Sequence, residues 1–189
     1  MLADKLTTTR IAVFVDLIDG TGSEIGRTAL MKMCYFLQTL KDVPLGYDFS
    51  LYSYGPFDST VLGDLRAAED LSAIESSVST FPGGYQYLLS TSDNAAQFKK
   101  LARPFLTEHR AEIDWVAQTF GHRSASELEL LSTIVFVNRS NRISSRQTLT
   151  EKVKHVKPHF ALEEISRKID WLERSKLLPA LEEPERVGI

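Results

Sequence analysis

The chain has a single cysteine, Cys34, so no disulfide can form within it. No apolar run approaches the roughly 18 residues that a membrane-spanning helix requires. The opening stretch, MLADKLTTTR, mixes acid and base and lacks the apolar core of a secretory signal. A reducing cytoplasm is therefore the expected compartment. An excess of positive charge is missing as well: 22 Lys and Arg stand against 25 Asp and Glu, for a net charge of −3. That balance argues against a protein whose whole surface grips nucleic acid, while leaving room for a local basic patch.

Catalytic signatures are equally scarce. No G-x-S-x-G elbow occurs. GTGSEIG, with Gly20, Gly22 and Gly26, is misspaced for a dinucleotide loop and lacks the Gly-Lys-Ser/Thr of a phosphate loop. His155 and His159 share a helical spacing that suits zinc, but Pro158 lies between them and no third ligand is evident. His109 and His122 are isolated, and Glu163/Glu164 and Glu182/Glu183 are adjacent pairs that cannot face a common point on a helix. Cys34 sits in an apolar run and reads as a small core residue. No catalytic residue, metal or cofactor is expected.

What is present is periodic. Ile11, Phe14, Val15 and Ile18 mark a helix over 8–19, ended by the glycines of DGTGSEIG. RTALMKMCYFLQTLK is a second helix; its stripe of Leu30, Met33, Leu37 and Leu40, with apolar neighbours on other faces, places it centrally in a core. LSAIESSVSTFPGGYQYLLS predicts a hairpin, with strands near 73–80 and 85–90 around Pro82-Gly83-Gly84. Further helices are expected at 93–103, 106–120, 125–138, 145–156 and 160–176. Ser126 and Glu129 have the spacing of a capping box, and Leu162, Ile165, Ile169 and Leu172 form one stripe. The fold class is mainly α with a small antiparallel sheet (α+β), including winged-helix-like elements. The length fits one compact domain over 1–179, with possible sub-lobes 1–90 and 91–179, and an acidic, frayed tail over 180–189.

The anomaly is YDFSLYSYGPF. Alternation in a short strand directs Phe49, Leu51 and Ser53 one way and Ser50, Tyr52 and Tyr54 the other. Gly55-Pro56 then breaks the strand, with Pro56 near the start of a helix that carries Asp58 and Asp64 in its early turns. A tyrosine pair on one face suits a half-wet interface, or else a second internal layer with both hydroxyls satisfied. Tyr54 is expected to be buried as the anchor of the corner, with Tyr52 reaching the polar side of the second helix near Lys32. Pro56→Ala should be mild and Gly55→Val severe.

Charge is segregated. Between Asn138 and His159 the bases Arg139, Arg142, Arg146, Lys152, Lys154 and Lys157 face one acid, Glu151. Such a run can meet phosphates, meet an acidic protein, or be a solvated face.

GRTALMKMCYFLQ followed by GYDFSLYSYGPFDSTVLGDL resembles the SocA/Panacea group of antitoxin-associated domains, and more closely the YwgA-like bacterial proteins. The matching positions are Lys32, Tyr35, Phe36 and Leu37, then Tyr54, Gly55, Pro56 and Ser59; the late segment from ELELLSTIVFV to ERSKLL is also similar. Ser53 departs from the SocA group, which usually carries a bulky residue near this point. The resemblance implies a mainly helical domain with a small sheet and a non-catalytic role, as an antitoxin-like or phage-defence and mobile-element accessory protein. It implies a protein partner, a toxin or an operon-encoded neighbour, met by Lys32, Tyr35, Tyr52, Tyr54, Gly55, Pro56 and Ser59. The alternative is a winged-helix DNA-binding regulator that uses the hairpin and the basic run. An undetected enzyme is a third reading.

Overall fold

The structure, a computed structural model, describes residues 4–82 and 84–182. It is mainly helical with a small antiparallel three-stranded sheet, the fold class expected, but residues 50–52 do not join the hairpin's sheet as the reading of 49–54 suggests; residues 25–26 supply its third strand. In chain order the first elements are α1 (Lys5–Thr21), β1 (Ile25–Gly26), α2 (Arg27–Leu40), β2 (Ser50–Tyr52), β3 (Gly55–Phe57), α3 (Ser59–Asp70), β4 (Ile74–Phe81) and β5 (Gly84–Thr91). Then follow α4 (Ala95–Leu101), α5 (Arg103–Glu108), α6 (Arg110–Phe120), α7 (Ala125–Asn141), α8 (Arg146–Val156) and α9 (Leu162–Arg174). Among the described residues no helix is long and apolar enough to cross a membrane.

The chain forms two compact units. The first comprises Met1–Ser50 and Phe57–Ala125, the second Leu51–Pro56 and Ser126–Ile189. The division thus falls near residue 125 rather than between 90 and 91, and the aromatic loop belongs with the C-terminal helices.

In the first unit α1 is buried without interruption from Arg10 to Ile18, and packs against α2, α3, α4 and α6. Asp4 caps it, accepting from the Thr7 N–H at 2.8 Å, and Gly22 ends it with φ +66°. Helix α2 is buried from Ala29 to Leu37, in line with its apolar pattern. Each large side chain fully buried there contributes about 1.5–3 kcal/mol. Phe36 stacks on Phe120 with ring centroids 4.0 Å apart. Cys34 is fully buried, and that desolvation pushes its thiol well above the usual range, away from nucleophilic use.

The buried Arg10 is fully engaged: it donates to the Leu45 and Gly46 carbonyls at 2.8 Å each and to Asp64 at 3.2 Å. Strands β4 and β5 form the expected hairpin, with Ser77 opposite Leu88, and β1 pairs with β5 to give the order β1-β5-β4. Helix α3 starts at Ser59 rather than at Pro56, which lies in β3. Asp58 is the reason: its carboxylate accepts from the Thr60 N–H at 2.7 Å and the Asp48 N–H at 2.6 Å, fixing the first turn three residues later than the proline suggests.

In the second unit α7 is buried from Leu128 to Val135, and α8 packs on α9. Ser145 caps α8 through the Thr148 N–H. Ile165, Ile169 and Leu172 are fully buried, but Leu162, the first residue of α9, is 48% exposed and leaves the stripe. The start of the acidic segment is docked rather than frayed. The Leu181 N–H donates to Glu173 at 2.8 Å, and Glu182 bridges to Ser145. Residues 183–189 lie outside the described residues.

Candidate functional site

The loop Leu51–Pro56 is held to α7 by the residue with the least side chain. Gly55 adopts φ +87° and its Cα sits so close to α7 that a Cβ would lie 3.0 Å from Ser132 Oγ, 3.2 Å from Thr133 Oγ1 and 3.3 Å from the Glu129 carbonyl. Both the backbone conformation and the spacing select glycine. Pro56 beside it is buried.

A buried cation supplies the second attachment. Lys157 follows α8, where its N–H donates to the Val153 carbonyl at 2.8 Å, and its side chain is 2% exposed. Its ammonium forms an ion pair with the Glu129 carboxylate, 2.7 Å from Oε1, and donates to the Tyr52 carbonyl at 3.3 Å and to the Ser53 carbonyl. His159 Nε2 lies 3.5 Å from the same Glu129 oxygen, on the solvent side. Glu129 is thus committed to Lys157 instead of a capping box with Ser126, which already lies inside α7.

With its carbonyls turned inward to Lys157 and its glycine against α7, the loop leaves both tyrosines outside. Tyr52 is 61% exposed and Tyr54 is 73% exposed. Tyr54 is therefore not the buried anchor expected at the Gly55-Pro56 corner: a glycine-sized contact against α7 has no space for a phenol. Lys32 and Tyr35, grouped with these residues in the sequence pattern, are core residues of α2, only 2% and 3% exposed. Tyr35 packs edge-on against Phe49 at 5.2 Å. Ser59 is exposed as the first residue of α3.

The basic run is not one patch. Lys157 is internal, and Arg146 is paired with Asp170 and Glu173 on α9. Lys154 donates to the Pro158 and Phe160 carbonyls at 2.8 Å, and Lys152 to Asn141 Oδ1 at 3.2 Å. Arg139 and Arg142 are exposed. Unanticipated from the sequence is a cleft of about 430 Å³ lined by Leu51, Phe136, Val137 and Val156, with Asn141, Glu151, Lys152 and His155. Its apolar members come from three separate segments, and no local pattern joins them. Among the described residues no cluster of His, Cys, Asp or Glu is placed to hold a metal ion.

No family model matches the chain, and no curated protein matches its sequence.

Proposed function

We propose that the chain is a non-catalytic protein-interaction module, of the antitoxin-like or defence-accessory kind, that meets its partner with the loop Leu51–Pro56. The observation that supports this reading is the pairing of two outward tyrosines, 61% and 73% exposed, with a backbone tied down by Lys157 and Gly55. Tyrosine buries a large ring while its hydroxyl keeps a polar partner, which is why it is frequent at interface hot spots. A loop fixed before binding has little further entropy to lose, where ordering a mobile side chain costs about 0.5–1.5 kcal/mol. The resemblance to antitoxin-associated proteins directs the search for a partner to the product of the neighbouring gene.

The test is co-expression with that product and purification through a tag on one chain. A stoichiometric complex is expected, and the Y52A/Y54A variant should lose it while melting at the wild-type temperature, because truncating exposed side chains usually changes stability by no more than about 0.5 kcal/mol. Equal capture by the variant would remove the loop from the interface. Tight, salt-sensitive binding of duplex DNA, lost on reversing Arg139 and Arg142, would favour the DNA-binding regulator instead.

A further inference from the structure

The first unit holds a cleft that the interaction loop does not touch, formed where α4, α5 and α6 follow one another with single residues between them. We infer that this cleft binds the terminal phosphate or diphosphate group of a small molecule. Its volume is about 290 Å³, and its lining is Lys99, Lys100, Arg103, Leu106, Thr107 and Arg110. Four of these six side chains are cations, and none is a carboxylate. Lys99, Arg103, Leu106 and Arg110 recur three or four residues apart, the interval that gathers side chains on one side of a helical path. The volume is close to the lower end of the range for small-molecule sites, about 300–1,000 Å³, which suits a compact ligand.

Two of the cations are fixed in place from within. Asp16 on α1, its side chain 1% exposed, lies 2.7 Å from Lys99 Nζ and 2.6 Å from Arg110 Nη2. Lys99 also donates to Asp19 at 2.9 Å, and Arg110 to Asp114 at 3.4 Å. These three carboxylates answer the charge of Lys99 and Arg110, and none of them lines the cleft. Lys100 and Arg103 are exposed and have no hydrogen bond or ion pair among the described residues, so their two charges are unanswered. Ammonium and guanidinium groups donate hydrogen bonds and accept none, so a ligand here must bring acceptors. A phosphate monoester brings three strong acceptor oxygens and about −1.5 to −2 of charge at neutral pH, which matches the two free cations. An arginine fork can hold two of those oxygens at once, and the exposed Thr107 hydroxyl adds a neutral donor. A phosphodiester within a nucleic-acid backbone carries a single charge and matches less well.

Inorganic pyrophosphate and phenyl phosphate are titrated separately into the 15N-labelled chain at constant ionic strength, followed by amide chemical shifts. Saturable shifts centred on residues 99–110 are expected. K100A/R103A, which removes two exposed side chains without partners, should melt as wild type and bind both probes about tenfold or more weakly. T107V keeps the shape of the side chain, loses its hydroxyl, and should weaken binding about threefold. Y52A/Y54A should bind the probes as wild type does, because its loop belongs to the second unit. Loss of the neighbouring gene product in Y52A/Y54A therefore bears on the interaction loop, and loss of phosphate in K100A/R103A bears on this cleft. Absence of saturation, shifts scattered over the surface, equal affinity in K100A/R103A, or the same shifts with acetate would overturn the inference. So would tighter binding of a short oligonucleotide that carries no terminal phosphate, which would make the cleft a reader of nucleic-acid backbone.

Discussion

Replacing Lys157 by methionine preserves the unbranched stem and deletes the ammonium between Glu129 and the carbonyls of Tyr52 and Ser53. Glu129, itself buried, then has only the His159 imidazole beside it, 3.5 Å away on the solvent side. Removing one partner of a buried ion pair costs about 3–5 kcal/mol, because the remaining charge is desolvated without compensation. For a chain of this length each kcal/mol lowers the melting temperature by about 2–4 °C, so K157M should melt roughly 6–20 °C below wild type. The double variant K157M/E129L leaves no ion inside and should recover most of that loss. It should not recover partner capture, since the carbonyls of the loop still lack their donor. Melting followed by far-ultraviolet circular dichroism measures the first effect, and the co-expression assay the second. A K157M melt within about 1 °C of wild type would refute the reasoning, because the ammonium would then carry no buried carboxylate.

Gly55→Val forces a β-branched residue to φ +87° against Ser132, Thr133 and the Glu129 carbonyl. It should cost about 2–5 kcal/mol from strain and overpacking together, read from the denaturant midpoint, whereas Pro56→Ala should cost less than about 1.5 kcal/mol. Asp58→Ala removes the cap of α3 and should cost about 1 kcal/mol at neutral pH. Burial alone raises the Asp58 carboxyl, but its bonds from the Thr60 and Asp48 N–H groups outweigh this and hold it below the ordinary value of 3.8. A carboxyl lowered by folding stabilises the protein above that value and loses its contribution as the pH falls through the lowered one. The gap between wild type and Asp58→Ala should therefore narrow in acid, as equilibrium unfolding across pH would show; a gap constant down to strongly acid pH would contradict it.

Helices α1, α2 and α7–α9 and the β4–β5 hairpin were legible because their signals are local: apolar spacing along a helix, and Pro-Gly-Gly between two strand-like runs. Gly55-Pro56 was likewise readable as a chain break. The direction of the side chains around that break was not. Tyr54 was expected inside as the anchor of the corner, but Gly55 makes that close contact itself and Tyr54 is left exposed. Composition made Lys157 one cation in a basic run, although it is the least exposed of them. Local sequence determines which segments coil or pair, since those choices depend on neighbours within a turn or a strand. Where a charge or a phenol comes to rest depends on which distant groups can satisfy it, and the acceptor that holds Lys157 lies 104 residues away, at Ser53, within reach only once α7 has brought Gly55 against its side.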